Sequence, residues 1–292
     1  MKSVVSRQQS LLANRLQSVM RLKYFISEPY PCSYLADRFE RKYFTRISGH
    51  DPDGLIDLLA QHGFRRSRDI LYTHACPTCC ACVPVRIRVR DFSLSKSQIR
   101  TARRNSRLKR LIHPSEPTEI QYQLFRRYLK SRHKTGGMEG MTWKDYVEMV
   151  DGSVTRSSLI EYWLPAENSP AGKELVAVAH VDYLDNGLSM LYSFFDPDRS
   201  KLSLGTFMIL DTVNLAKEMQ LDYVYLGFWV PGSQKMSYKA NFSALESLKF
   251  GKWSDIGDRA SYDLMRNHPN GIGAQVRWNQ KVSERKPALS HA

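Results

Sequence analysis

The sequence has no long hydrophobic run. Its strongest apolar segment, residues 223–230, has the length of a strand, whereas a membrane-spanning helix needs about 20 residues. The first 27 residues also lack the apolar core of a secretory signal peptide. These absences argue against export and against a membrane partner, and we expect the protein in the cytoplasm.

Acidic residues are scarce relative to basic ones. The chain has 29 Asp and Glu residues against 43 Lys and Arg residues, for a formal net charge of +14. Such an excess favours a polyanionic partner, most commonly nucleic acid. No acid precedes Glu28, so we interpret residues 1–27 as a basic extension, although this composition is also typical of an organellar transit peptide.

Cysteine is rare, and four of the five cysteines crowd into residues 76–82. The odd count and the close spacing argue against a secreted disulfide framework and favour a reducing compartment. The metal-like spacing includes Cys76, Cys79 and Cys82, with Cys32 as a fourth thiol that could complete a zinc or iron–sulfur site. The alternative is that these thiols line a pocket without an ion, and we predict no cofactor and no metal.

Secondary-structure signals divide the chain into two folded regions, of about 28–115 and 116–254. In the first region, hydrophobic and basic residues alternate over 83–89, which predicts a strand. Ser95 is a favourable N-cap for a predicted basic helix over 96–110. The first region therefore combines strands with a helix that is almost free of acids.

The second region mixes helical and strand patterns. Asp185-Asn186-Gly187 is a strong hairpin signal, and the polar residues 255–292 predict a partly disordered tail. Both element types in both regions predict the α+β class. The predicted elements are helices over 119–133 and 205–219, and strands over 175–183, 188–195 and 223–230.

Short motifs are dispersed in one order along residues 28–254, namely PCSYL (31–35), RFER (38–41), GFRRS (63–67), ACPTCCACVPVR (75–86), GLS (187–189), YSFFDP (192–197), SLG (203–205), YVYLG (223–227) and KMSYK (235–239). Together they resemble the N-end rule aminoacyl-tRNA–protein transferases. The bacterial branch, the aspartate/glutamate leucyltransferases, is the most similar. Leu35 departs from the arginyltransferases of this family, which carry a cysteine there, and Cys80 is an additional thiol.

The resemblance implies a small N-terminal cysteine-containing domain and a C-terminal acyltransferase domain of the GNAT type, with a mixed sheet flanked by helices. It implies transfer of leucine from leucyl-tRNA to proteins that begin with Asp or Glu, which marks them for degradation. The chemistry is aminolysis of an ester, and an α-amine with a pKa near 8 is already partly neutral at pH 7. Catalysis therefore requires only that the enzyme position the two substrates and stabilise the oxyanion, and it needs neither a strong base nor a cofactor.

An acidic acceptor residue needs a cationic pocket, because guanidinium groups bind carboxylates bidentately. Arg65 and Arg66 are the candidates, although neighbouring residues of a strand face opposite ways and the pair could also be structural. We expect the walls of this acceptor site to come from Cys32, Cys76, Cys79 and Cys82, with Arg86 as a further candidate.

The tRNA needs a surface of positive charge that follows its phosphates. The candidates on the two basic helices are Arg100, Arg103, Arg104, Arg127 and Lys130. We expect the terminal nucleotides at Ser203 and Gly205, where backbone N–H groups begin a helix, and at Trp229 and Lys239. The alternative for the charged helices is a merely solvated face.

The predicted reaction centre combines polar and aromatic residues of the second region, namely Tyr192, Ser193, Asp196, Tyr225, Lys235 and Tyr238. Tyr225 and Trp229 could instead be core residues.

Two rival functions remain open. One is an arginyl-tRNA–protein transferase, and the other is a non-enzymatic RNA-binding protein stabilised by a metal at the cysteines.

Overall fold

A computed structural model of the chain describes residues 22–47, 51–132, 138–151, 154–166, 172–249 and 251–262. Three predicted features lie wholly or partly outside these residues. They are most of the basic extension, the last residue of the helix predicted over 119–133, and most of the polar tail. The chain forms two compact units. One boundary between them lies between Pro84 and Val85, and the others lie between residues 229 and 247, near the end of the described chain. The first unit comprises residues 1–84, 230–233 and 247–292, and the second comprises residues 85–229 and 234–246. The domain boundary near residue 115 stays a prediction.

The first unit is built on a four-stranded antiparallel sheet. Its strands are β1 (Tyr24–Ile26), β4 (Lys42–Arg46), β5 (Arg65–Ser67) and β6 (Ile70–His74), in the order β1-β4-β6-β5. A short pair, β2 (Tyr30–Pro31) and β3 (Phe39–Glu40), lies between the first two in sequence. The unit also includes helix α1 (Pro52–Gln61) and strand β14 (Lys252–Asp255).

Helix α1 has an end signal at each terminus. The Asp51 side chain accepts a hydrogen bond from the Gly54 N–H at 2.8 Å, and Pro52 occupies the first turn. Gly63 follows the helix with a φ of 80°, a conformation that glycine adopts without strain. The face that α1 buries carries Leu55, Ile56 and Leu59.

The folded chain continues past residue 254, after which the predicted polar tail begins. Tyr262, which follows β14, is fully buried.

The second unit contains a mixed sheet in the order β13-β7-β12-β11-β10-β9-β8. Its strands are β7 (Val83–Arg88), β8 (Lys109–Pro114), β9 (Ser157–Pro165), β10 (Lys173–Leu184), β11 (Gly187–Phe195), β12 (Tyr223–Trp229) and β13 (Leu245–Lys249). Its helices are α2 (Lys96–Arg104), α3 (Glu119–Arg132), α4 (Trp143–Val150) and α5 (Leu204–Glu218), with two short 3-10 helices, Pro197–Leu202 and Ser237–Asn241. Among the described residues, no helix is both long and apolar enough to cross a membrane.

Helices cover both faces of this sheet. On one face, Phe125 of α3 and Tyr146 of α4 pack with Phe194 of β11 in the main core. On the other face, Tyr162 of β9 packs against Phe207 of α5 with ring centroids 5.6 Å apart. Successive residues of a strand point to opposite faces, so one strand serves both layers. The predicted α+β class with a mixed sheet flanked by helices is confirmed.

The predicted basic helix over 96–110 is wrong in its second half. Ser95 caps the helix as predicted and forms a capping box with Gln98, but the helix ends at Arg104. The Asn105 side chain ends it by donating to the carbonyls of Thr101 at 2.9 Å and Leu202 at 2.8 Å. The following residues, Lys109–Pro114, form the edge strand β8 because pairing with β9 replaces helical hydrogen bonds.

The hairpin predicted at Asp185-Asn186-Gly187 is confirmed. It joins the antiparallel strands β10 and β11, with Leu184 opposite Gly187. A Cβ at Gly187 would lie 2.4 Å from the Tyr223 carbonyl oxygen, so a close approach of two strands requires glycine here. Strand β11 then runs parallel to β12, and the two are connected through α5.

Candidate functional site

Arg65 and Arg66 lie on opposite faces of the four-stranded sheet. Arg65 pairs with Tyr72 across β5 and β6, while Arg66 pairs with Leu71. Arg66 is only 3% exposed, and its guanidinium donates to the Arg68 carbonyl at 2.9 Å. Arg65 is half-buried on the face that also carries His74. Of the two predicted acceptor residues, the structure therefore leaves Arg65 within reach of a ligand.

The cysteines predicted to line the acceptor site, Cys32, Cys76, Cys79 and Cys82, all belong to the first unit. Burial raises the pKa of Cys76 to about 11 and raises that of Cys82 well above its usual range. In the described part of the chain, no group of three or more His, Cys, Asp or Glu side chains is arranged to hold a metal ion. The predicted absence of a metal at Cys32, Cys76, Cys79 and Cys82 stays a prediction.

Arg86 lies in a buried network of the second unit. Its guanidinium forms an ion pair with Glu246 at 2.7 Å and donates to the Tyr225 hydroxyl at 3.1 Å. It also lies 3.6 Å above the Tyr223 ring, and the Tyr225 hydroxyl contacts Asn186 Oδ1 at 3.2 Å. These contacts occupy the polar atoms of Arg86 and Tyr225, which favours a structural role over the predicted acceptor and catalytic roles.

Tyr225 is also separated from the other predicted catalytic residues. It lies opposite Ser189 near the start of β11, whereas Asp196 follows the end of that strand. At about 3.3 Å per residue, the two positions are roughly 20 Å apart along the sheet. The structure thus does not bring Tyr225 to the strand end where Tyr192, Ser193 and Asp196 lie.

Asp196 organises the turn that follows β11. It is 3% exposed and accepts hydrogen bonds from the Asp198 N–H at 3.1 Å and from Arg199 Nε at 3.2 Å. Arg127 of α3 lies 3.8 Å from the same carboxylate. Tyr192 is half-buried, and its ring packs edge-on against Phe125 at 5.9 Å. Asp196 therefore holds the backbone of the segment that leads into α5.

The segment Ser203–Gly205 begins helix α5 in a tight conformation. Ser203 has a φ of 52°, and its side chain makes no capping hydrogen bond. A Cβ at Gly205 would lie 3.3 Å from the Phe195 ring, so the start of α5 packs closely against the end of β11. A helix leaves its first N–H groups without intrahelical partners, and such groups bind anions or carbonyl oxygens.

Both basic helices adjoin the segment 196–202, which precedes this turn. From α2, Arg104 donates to the Lys201 carbonyl, and the neighbouring Asn105 donates to the Leu202 carbonyl at 2.8 Å. From α3, Arg127 lies 3.8 Å from the Asp196 carboxylate, and Arg132 lies 5.7 Å from the ring centroid of the preceding residue, Phe195. The predicted tRNA-binding cations on these helices are exposed, namely Arg100, Arg103, Arg104, Arg127 and Lys130. We call the exposed basic residues of α2 and α3 the basic surface.

The remaining predicted residues lie at or beyond the end of β12. Trp229 is 4% exposed and Lys239 is 6% exposed, whereas Lys235 is exposed and Tyr238 is half-buried. The Lys239 ammonium donates to the carbonyls of Leu226 at 2.7 Å and Phe228 at 2.9 Å. Both carbonyls belong to the second half of β12, after Tyr225, whereas the residues of β12 that pair with β11 are Tyr223 to Tyr225. Lys239 therefore stabilises the strand itself, and its contact with tRNA stays a prediction.

Sequence reasoning missed polar residues whose importance comes from pairing across strands. Lys42 and His74 lie directly opposite each other on β4 and β6, on the same face as Arg65. Burial, with the nearby charges of Lys42 and Arg65, lowers the pKa of His74 to about 3. The alternation in KYFTR and ILYTH indicates strands, but it does not reveal which strands are neighbours.

Comparison with known proteins places these features in a family. Two family models match the chain. The model for the N terminus of the arginine-tRNA-protein transferases matches residues 30–100, and the model for their C terminus matches residues 120–249. The aspartate/glutamate leucyltransferase of Dinoroseobacter shibae is 47% identical over 254 residues, which cover 86% of this chain and 89% of that protein. The protein of the same name from Caulobacter vibrioides is 47% identical over 87% of this chain and 90% of its own length. The chain belongs to this family of aminoacyl-tRNA–protein transferases.

The chain is also similar to solved structures, at low sequence identity. The crystal structure of FemX aligns over 92% of both chains with a TM-score of 0.43 and 6% sequence identity. A similarity of this size does not assign a fold type. The GNAT type therefore stays a prediction.

Proposed function

We propose that this chain transfers leucine from leucyl-tRNA to the N-terminal α-amine of proteins that begin with Asp or Glu. The observation that carries the proposal is the 46–47% identity, over more than four fifths of the chain, to proteins named aspartate/glutamate leucyltransferase. The new N-terminal leucine would mark the acceptor for degradation by the N-end rule pathway.

The proposed reaction is the aminolysis of an ester. The neutral α-amine of the acceptor attacks the aminoacyl carbonyl carbon, the ester bond to the tRNA 3′ end breaks, and an amide forms. The amine loses one proton, and the departing ribose hydroxyl gains one. An α-amine with a pKa near 8 supplies enough neutral nucleophile, so the protein has to position the two substrates and stabilise the oxyanion.

The basic surface is the proposed tRNA site. Its cations are exposed on two helices that flank one segment, 196–202, and this arrangement suits a phosphate backbone better than a compact ligand. The segment leads directly to Ser203–Gly205, where helix α5 begins. The first N–H groups of a helix have no intrahelical acceptor, which suits them to a terminal phosphate or to the ester carbonyl oxygen. Charge on the helices would bring the tRNA end to this turn.

The proposed reaction centre lies at the end of β11, with Tyr192 and Ser193 on the strand and Asp196 behind it. Asp196 is a positioning residue, since its carboxylate is bound to Arg199 and to the Asp198 N–H. Lys235 and Tyr238 are further candidates for contact with the substrates. Tyr225 and Arg86 are left out of this centre because their polar atoms bind each other and Asn186 or Glu246.

A second donor has its own support, because both matching family models carry the name of the arginine-tRNA-protein transferases. The test supplies the purified chain with leucyl-tRNA or arginyl-tRNA, each with a labelled amino acid, and a peptide that begins with Asp. We expect label from leucine in the peptide. Label from arginine alone would assign the other donor. Tight RNA binding without transfer of either amino acid would instead support a non-enzymatic RNA-binding protein.

A further inference from the structure

We propose that Lys42 and Arg65 together bind the side-chain carboxylate of the acceptor's N-terminal residue, beside His74 on one face of the four-stranded sheet. The inference rests on the proposed function and adds the residues that select the acidic acceptor. It replaces the predicted pair Arg65 and Arg66, which the sheet separates onto its two faces.

Strand pairing brings the two cations onto one face. Lys42 is directly opposite His74, and Arg65 is directly opposite Tyr72. Directly opposite residues of an antiparallel pair point to the same side, and so do His74 and Tyr72, two residues apart on β6. The four side chains therefore form one continuous patch, which we call the cationic face.

The cationic face is accessible, unlike the face behind it. The Lys42 side chain is 39% exposed, and Arg65, Tyr72 and His74 are half-buried. Behind the sheet, by contrast, Arg66, Leu71, Thr45 and Thr73 are each 3% exposed or less. A ligand can approach Lys42 and Arg65 from solvent, and the partial burial strengthens their attraction for a carboxylate.

Mostly neutral groups and one carboxylate, that of Glu40, line this patch. The Tyr34 ring lies edge-on to His74 at 6.4 Å, and Lys42 Nζ is 5.2 Å from the Tyr72 ring centroid. Burial also keeps the nearby Cys82 thiol protonated, so it adds no negative charge that would repel an acidic ligand. Glu40 lies 3.5 Å from Lys42, so the ammonium would be shared between this carboxylate and the ligand.

Lys42 and Arg65 together can bind the carboxylate of either an Asp or a Glu side chain, although the two side chains differ in length. Arg65 offers a planar fork for bidentate binding of a carboxylate, whereas Lys42 is a point charge on a flexible stem. A rigid fork with one adjustable partner accommodates both Asp and Glu. It discriminates against Asn and Gln, which carry no charge and place an amide N–H₂ group towards the cations.

The test measures kcat/KM for peptides that begin with Asp, Glu or Asn, at saturating leucyl-tRNA, with the variants Lys42→Gln and Arg65→Gln. We expect both variants to lower kcat/KM for the Asp peptide tenfold or more and to leave the Asn peptide nearly unchanged. The control is Arg46→Gln, on the same strand and face, whose side chain is 68% exposed and paired with Asp69. It should keep the wild-type preference for Asp.

A binding measurement separates this inference from the proposed function. Fluorescence anisotropy with a labelled Asp-starting peptide reports acceptor affinity even if the wild type transfers no leucine at all. Should Arg65→Gln fail to fold by circular dichroism, Lys42→Gln decides, because its side chain is the more exposed. An unchanged Asp-to-Asn preference in a folded Lys42→Gln variant, by both kinetics and anisotropy, would overturn the assignment.

Discussion

Two regions of the second unit use basic residues in opposite ways. In the sheet, the Arg86 side chain is 9% exposed and is bound by Glu246 and Tyr225. On helices α2 and α3, the basic side chains are largely exposed, and few acids lie between them. A buried cation must be compensated inside the fold, while an exposed one keeps its charge available to a partner. Burial, rather than residue type, separates structural arginines from those suited to RNA.

The largest effect is expected from removing the acid at the centre of the buried network. Glu246→Gln deprives Arg86 and Arg88 of an anionic partner, and we expect the free energy of unfolding to fall by about 3–5 kcal/mol. Urea denaturation measures it. The control is Asp69→Asn, which breaks the exposed pair with Arg46 and should cost less than about 1 kcal/mol. Equal losses in the two variants would contradict the comparison.

A somewhat smaller loss is expected from Lys239→Met, which keeps most of the side-chain volume. Two buried carbonyls, of Leu226 and Phe228, would lose their charged donor. We expect a loss of about 2–3 kcal/mol in the free energy of unfolding. If Lys239→Met unfolds like the wild type and instead weakens tRNA binding, the buried lysine belongs with the RNA-binding cations.

The pH dependence of stability tests the environment of His74, which is half-buried on the cationic face. Because the pKa of His74 is lowered to about 3 in the folded state, the unfolded chain binds more protons between pH 6.5 and 3. Stability from the neutral imidazole is complete above pH 6.5 and is lost as the pH falls through this window. His74→Gln should flatten that slope by up to about 1.4 kcal/mol per pH unit. A profile identical to the wild type would show that His74 accepts its proton without cost.

The smallest change per residue is expected on the basic surface. Arg103→Gln and Lys130→Gln should leave the free energy of unfolding within about 0.5 kcal/mol of the wild type, since both residues are exposed. Each should reduce the slope of log affinity for tRNA against log salt concentration by about 1. Filter binding at several salt concentrations measures the slope. An unchanged slope in the double variant would place the RNA on another surface.

Local signals in the sequence predicted several elements correctly. The Ser95 cap, the Asn186-Gly187 hairpin and the strand at 223–230 depend on neighbouring residues, and the structure confirms them within one residue. The end of α2 was missed because Asn105 terminates the helix through Leu202, nearly 100 residues away in the chain. Patterns with a period of two or 3.6 residues carry no information about such distant partners.

The candidate site shows the same limit. The opposite orientation of Arg65 and Arg66 follows from the alternation of a strand, but the sequence did not show which of them faces the core. The pairing of β4 with β6 places Lys42 directly opposite His74, and no motif in the sequence indicates that these two residues are neighbours. Arg86 and Tyr225 belong to recognisable motifs. However, Arg86 forms an ion pair with Glu246, a buried acid that is far from it in sequence.

Composition and motif order alone determined that the chain is a cationic member of a transferase family, because charge and short motifs are properties of the linear chain. Only the tertiary structure decided which cations are buried and which reach solvent. Strand register and helix packing set the dielectric environment of each charge, and that environment decides whether a cation stabilises the fold or binds a ligand.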